Sequence, residues 1–258
     1  MEITSFKTAP GHWILARMGK KVLRPGGKEL TQKLISALSI SSKDELVEFA
    51  PGLGFTAALA LKQKPKPYVG IDTDEEVVNF LRKKFRGDHV FFMQANAMHT
   101  GLPDGCKDKV VGEAMLTMQA DHRKAEIVRE AHRILRKGGL YAIHELGLFP
   151  DGLSDDEKAA IQRDLAVSIK VNARPLTCNE WKGLLEKEGF AILKTETNPM
   201  CLLESARMID DEGFFGALKI GLNIISTPQA RVRISDMYKT FKKHRLHMNA
   251  IGVVAQKL

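Results

Sequence analysis

The segment Leu46-Val47-Glu48-Phe49-Ala50-Pro51-Gly52-Leu53-Gly54-Phe55 constrains this chain more than any other. A short apolar run carries an acid, meets small residues at alternate positions, and gives way to a helix-compatible run over 55–62. The pattern reads as strand, tight turn, helix. Gly52 and Gly54 lack a Cβ, so the backbone of the turn can approach a ligand closely. The helix that follows aims its first N–H groups at the same place. A second strand, Tyr68–Asp72, again closes on an acid. Together these features describe a nucleotide-type pocket at the carboxyl edge of a parallel sheet.

The alternation continues from residue 29 to about 197. Helical runs over 29–39, 55–62, 75–85 and 121–136 are interleaved with apolar strand runs over 45–49, 68–72, 90–94, 110–113 and 140–144. Gly138-Gly139 is expected to stop the fourth of these helices. Strand and helix in turn predict an α/β fold, a doubly wound parallel sheet covered on both faces. Beyond His144 the pattern loosens. Ser154-Asp155-Asp156-Glu157 and Thr177-Cys178-Asn179-Glu180 are capping boxes that each open a helix. A strand over 191–197 precedes a helical insertion over 198–250, in which Thr227-Pro228 opens one helix. The last strand covers 251–256.

Residues 1–28 form an N-terminal arm. Trp13, Leu15, Met18 and Val22 fit one helical stripe, and Arg24-Pro25-Gly26-Gly27 is a turn. The arm reads either as a lid across the open edge of the sheet or as a helix docked on the core. The rest of the chain, 29–258, reads as one domain with helical cap insertions at about 145–177 and 198–250.

A chain of 258 residues is long enough for such a domain and its core. No apolar run reaches the roughly 18 residues of a membrane span, and no signal core stands near the N-terminus. No membrane partner is expected. Cys106, Cys178 and Cys201 show neither metal nor redox spacing, so no metal is expected and a reduced, cytoplasmic setting is. Lys plus Arg, 39, exceed Asp plus Glu, 31, by 8. The excess gathers near the two ends, at Arg17, Lys20, Lys21, Arg24 and Lys28 and again at Arg231, Arg233, Lys239, Lys242, Lys243 and Arg245. No aromatic residues interleave with these cations as single-strand binding requires. Solvated helix faces account for them better than a nucleic-acid partner does.

In the order of its motifs the chain resembles the class I S-adenosylmethionine-dependent methyltransferases. The likeness covers about residues 29–197, and the final strand fits too. Glu48-Phe49-Ala50-Pro51-Gly52-Leu53-Gly54 stands where the family has acid-x-Gly-x-Gly-x-Gly, with Ala50 for the first glycine. Asp72 stands for the second acid, and Ala95-Asn96-Ala97 with Leu102-Pro103 for the small-acid-Ala segment, Asn96 replacing Asp. Asp108-Lys109-Val110-Val111 resembles the fourth strand, and residues 133–140 resemble the passage from helix to fifth strand.

The resemblance implies a Rossmann-like, seven-stranded sheet whose last strand is antiparallel, with S-adenosylmethionine as cofactor. It implies that Asp72, beside Thr73, accepts from the ribose hydroxyls. Glu48 faces the methionine end, and Ala50, Gly52 and Gly54 make room. Asn96 meets the adenine amino group, Ala97 and Met98 flank the ring, and Glu113 and Ala114 lie beneath the methyl donor.

Methyl transfer needs alignment more than acid–base help, so a base is required only for a protonated, weakly acidic acceptor. His144 and Glu145 follow the fifth strand and are the first candidates, with Glu113 and His99 next. Neighbours on a strand point opposite ways, so one of His144 and Glu145 is expected in the cleft. His12, His122, His244 and His247 have no context that favours catalysis. Trp13, Arg24, Met118 and Arg174 are candidate substrate contacts. The partner is a small methyl acceptor, methylated at O, N or S, and the protein a monomer or homodimer.

Three readings compete. Gly52-Leu53-Gly54-Phe55-Thr56-Ala57 also satisfies Gly-x-Gly-x-x-Gly/Ala of nicotinamide or flavin enzymes. Glu48 next to a pyrophosphate would repel it. An RNA or protein methyltransferase using the basic surface is a second. A non-catalytic cofactor-binding module, marked by Ala50 and Asn96, is a third.

Overall fold

The repeated strand and helix runs build one mixed sheet. The computed structural model describes residues 5–258. Its strands are β1 Leu46–Phe49, β2 Tyr68–Asp72, β3 Val90–Gln94, β4 Lys107–Glu113, β5 Leu135–Leu148, β6 Leu176–Thr177, β7 Phe190–Pro199 and β8 Met248–Lys257. The order across the sheet is β3-β2-β1-β4-β5-β8-β7, with the two-residue β6 beside the end of β5. Strands β1 to β5 run parallel, while β8 lies antiparallel between β5 and β7. The seven-stranded Rossmann-like sheet with an antiparallel last strand is therefore present, with β6 as a short addition.

The core follows from strands buried on both faces, whose apolar residues are near-continuous rather than alternating. Val47, Val110, Ile143 and Val253 point to one face, where helices α5 (Asp121–Ile134) and α7 (Cys178–Lys187) cover them with Ile127, Ala131, Trp181 and Leu185. Leu46, Val111, Ala142 and Val254 point to the other. There α2 (Gly27–Leu38), α3 (Phe55–Leu61) and α4 (Glu75–Lys84) supply Leu34, Ala57, Val77 and Leu81.

Gly138-Gly139 does not stop α5. The helix ends at Ile134, and the fully buried Leu135 already begins β5. Lys107 pairs with Leu135 and Lys109 with Leu140, so residues 136–139 loop out of register as a bulge with Gly138 at φ 79°. Burying Leu135 in the core takes precedence over extending the helix.

Helices α1 (Gly11–Arg17), α6 (Asp155–Ile169), α8 (Ser205–Glu212), α9 (Phe214–Ser226) and α10 (Pro228–Lys243) form a cap at the carboxyl end of the sheet. Ile14, Leu15, Met18, Ile220, Ala230, Ile234 and Met237 knit α1, α9 and α10 together. Both capping boxes are formed, at Ser154 before α6 and at Thr177 before α7. The arm helix holds seven residues, so Val22 falls beyond it although it is buried. The chain after α1 is clasped by α8. Lys20 Nζ lies 3.3 Å from Asp211, Glu212 accepts from the N–H groups of Lys21 and Val22, and Asp211 accepts from that of Lys28.

Candidate active site

The turn after β1 takes left-handed backbone at Ala50 (φ 50°), Gly52 (φ 53°) and Gly54 (φ 75°). The two glycines do different things. A Cβ on Gly52 would meet only the Ala50 carbonyl oxygen, at 4.0 Å, so its space is open. A Cβ on Gly54 would stand 2.6 Å from Phe85 and 2.7 Å from Leu81. Gly54 thus lets α3 pack on α4 and gives no room to a ligand. It lies outside the cavity wall.

That turn borders a cavity of about 620 Å³ between the sheet edge and the cap, within the roughly 300–1,000 Å³ range of ligand pockets. One half is walled by the ends of the first four strands and their loops, with Ala50, Gly52, Asp72, Thr73, Asn96, Ala97, Met98, Glu113 and Ala114. The other half is walled by the cap and is mostly apolar, with Leu15, Leu146, Leu165, Ile169, Met200, Met237 and Phe241. Trp13, Arg24 and Met118 also reach the cavity.

Asp72 ends β2 at the cavity wall, and the Asp74 N–H donates to its Oδ1 at 3.1 Å. Burial raises its carboxyl above the ordinary value. Asn96 Oδ1 accepts from the Met98 N–H at 2.9 Å, which holds the adjoining loop.

Glu48 is not part of the wall. It is buried within β1 and accepts from the Tyr68 hydroxyl at 2.6 Å, and burial pushes its carboxyl up to about 8.

Glu113 is at the wall, but its oxygens are committed. Arg24 lies 2.6 Å from Oε2, Thr56 donates to the same oxygen, and Thr31 donates to Oε1 at 2.7 Å. The His144 ring nitrogen Nδ1 is 2.8 Å from Oε1. Burial alone would raise the carboxyl. The Arg24 charge and the bonds from His144 and Thr56 outweigh it and hold the group at about 2. A carboxyl so acidic is no proton acceptor at neutral pH.

The expectation that His144 or Glu145 faces the cleft is corrected. Both are fully buried and neither lines the cavity. The Gly26 N–H points at His144 Nε2 from 3.2 Å, so the opposite nitrogen carries the proton toward Glu113. Glu145 accepts from the N–H groups of Met115, Leu116 and Thr117 and from the Thr117 hydroxyl. It fixes the loop after β4, and burial raises its carboxyl. Adjacent residues do point opposite ways, but both sides of β5 are interior here.

Arg174 is likewise outside the wall. Its guanidinium stands 3.6 Å from Asp121 on the surface, and its N–H donates to the Thr117 carbonyl. His99 is exposed and pairs with Asn96 in an isolated bridge.

His12 was passed over by the sequence reading and lies in the wall, tilted against Trp13 with ring centroids 4.9 Å apart. Burial pushes its imidazole down to about 4, so the ring is neutral at pH 7. The sequence held a signal. His12 and Leu15 are three apart, hence on one helix face, and Leu15 belongs to the apolar stripe. Gln119, just before α5, and Arg123, in its first turn, also line the cavity. Among the described residues the acids of the wall are Asp72, Asp74 and Glu113, and all lie in the strand-end half. No group of His, Cys, Asp or Glu among those residues could hold a metal ion, and no helix among them is long and apolar enough to cross a membrane.

Residues 47–143 match the methyltransferase domain family. An uncharacterized protein of Haemophilus influenzae is 34% identical over 257 residues, covering 97% of this chain and 99% of that one. The chain belongs to the class I S-adenosylmethionine-dependent methyltransferases. O-methyltransferase 12 of Dictyostelium discoideum is 25% identical over 66% of this chain, which spans 45% of that protein. Phosphoethanolamine N-methyltransferase 2 of Haemonchus contortus, solved with S-adenosylhomocysteine and a phosphorylated amine, shares the fold. The TM-score is 0.71 at 15% identity, over 99% of this chain and 60% of that one.

The cofactor of this methyltransferase is S-adenosylmethionine, and the strand-end half of the cavity fits it. The open space at Gly52 admits a ligand against the backbone. Asp72 offers a carboxylate there. The Arg24 Nε atom is buried without a hydrogen-bond partner among the described residues, so it is a donor available to an anionic or polar ligand group.

Proposed function

We propose that this methyltransferase transfers its methyl group to an O, N or S atom of a small, largely apolar acceptor held in the cap half of the cavity. The observation that carries the reading is the apolar lining of the cap half. Side chains from α1, α6 and α10 stand over the strand ends and line a mostly apolar chamber, which suits a small molecule better than an RNA strand or a folded protein surface. The acids stay in the other half, so a cationic acceptor would meet no counter-charge, and a neutral or anionic one is favoured.

When bound, S-adenosylmethionine supplies an electrophilic methyl group on a positively charged sulfur that leaves as a neutral thioether. The protein holds, aligns and dries. Asp72 would accept hydrogen bonds from both ribose hydroxyls, since a carboxylate has two acceptor oxygens. The backbone at Gly52 and Ala50 would let the ligand lie close, and Asn96, Ala97 and Met98 would border the adenine. Arg24 would offer its free Nε–H to the polar end. Leu165, Met200, Met237 and Phe241 would press the acceptor toward the donor and keep water out, and such positioning supplies on the order of 7–11 kcal/mol. His12, neutral at pH 7, would accept a hydrogen bond from the acceptor and orient it. A base near pKa 4 is too weak to take the proton outright.

The test is to incubate the protein with cofactor labelled in the methyl group and a cell extract, then separate the products by size. Label in the low-molecular-weight fraction is expected. Label confined to RNA or protein would replace this reading with a macromolecular substrate.

A further inference from the structure

The cap exposes a face that its own packing leaves open. Helix α9 turns Ile220 inward against the arm, near Gly19. On the opposite side Phe214, Phe215, Leu218, Leu222 and Ile225 are 64, 82, 51, 58 and 64% exposed. At about 100° per residue these five fall within one arc of about 100°. They form a continuous stripe, not scattered exceptions, and together approach the largest apolar patch a monomer ordinarily shows, roughly 300–600 Å².

Cations flank the stripe. Lys219 lies on α9 itself, and Arg231 is in the first turns of α10, just past Ile225. Both are exposed, and neither has an ion-pair partner among the described residues. Helix α9 carries no acid.

We propose that the α9 face docks on an anionic lipid bilayer, lying in the plane of its surface. An apolar stripe bordered by unpaired cations matches acyl chains bordered by phosphate headgroups. A second copy of the chain is the poorer occupant. A twofold interface would set the stripe against itself and bring the same cations together. The sequence criterion for a membrane span does not bear on this face, because a helix on the surface needs neither 18 residues nor unbroken apolarity.

The test is cosedimentation of the full chain with vesicles of phosphatidylcholine alone or mixed with phosphatidylglycerol, beside sedimentation velocity without lipid. The wild type is expected to follow the mixed vesicles, more weakly as salt rises, and to ignore the neutral ones. F215D/L222D, at two exposed positions, is expected to lose roughly tenfold in vesicle binding with unchanged melting temperature and unchanged S-adenosylhomocysteine binding. K219E/R231E is expected to lose the preference for phosphatidylglycerol. Absent vesicle binding, or equal binding by F215D/L222D, would overturn the proposal. So would a lipid-free dimer that F215D/L222D separates, which would assign the face to a second copy.

Discussion

Four donors converge on Glu113, and that convergence decides what it can do. Arg24, Thr31, Thr56 and His144 hold it ionised beneath the cavity, so it organises the site. Arg24 is 8% exposed, and removing it strands a buried charge. Arg24→Ala should cost about 3–5 kcal/mol in denaturant unfolding, and Arg24→Ala with Glu113→Gln should cost less than the two singly. Additive costs would show that the pair is not coupled. Glu48 gives the opposite case. Burial raises its carboxyl to about 8, so the folded state keeps a proton that the unfolded chain has lost. Stability then falls as pH rises from the ordinary carboxyl range through about 8. Glu48→Gln should melt well above wild type at pH 8, each kcal/mol of the relieved penalty being worth roughly 2–4 °C, and level with it at pH 4. Equal melting at both would mean that Glu48 ionises freely in the fold. Neither behaviour is legible in the sequence. The acid of the glycine motif reveals its position, but its partner Tyr68 lies on the next strand, 20 residues on, and only the register of β1 with β2 brings the two together. His144 and Glu145 show the same limit, since their partners lie between 28 and 118 residues away.

At the level of elements, strand ends and turns are readable because apolar runs and glycines act locally. The ends of β2 and β3 fall where the runs place them. The cap is less readable, because which helix lies over the sheet depends on distant packing such as Leu15 and Ile220 in one cluster. The turn between β1 and α3 separates two uses of glycine that the motif treats alike. Gly54→Ala should destabilise by about 1–3 kcal/mol, because its Cβ overlaps Phe85 and Leu81. Gly52→Ala adds only backbone strain to stability, about 1–2 kcal/mol, but its Cβ enters space that the ligand needs. Denaturant unfolding and titration with S-adenosylhomocysteine should therefore rank the two variants oppositely, with Gly54→Ala the less stable and Gly52→Ala the weaker binder. The same order in both measurements would contradict the division.

Across the whole molecule, one covalent segment ties roof to floor. Residues 19–28 are clasped by Asp211 and Glu212 of α8 and then deliver Arg24 to Glu113. The cap is thereby coupled to the strand ends on which we propose that the cofactor rests. Asp211→Ala leaves Lys20 with only the longer 3.8 Å approach of Glu212. Hydrogen exchange should then quicken over 19–28 while β1, β4 and β5 stay protected. A uniform rise across the sheet would show that the clasp supports the whole fold and not the arm. The central claim is that a cofactor lies along the ends of the first four strands, its sugar on Asp72, with its sulfur facing the apolar chamber. A crystal structure with S-adenosylhomocysteine tests it most directly. The account predicts the ribose hydroxyls within hydrogen-bond distance of Asp72 and the sulfur opening toward Met200, Met237 and Phe241; a sugar bound away from Asp72, or a sulfur walled off from that chamber, would contradict it.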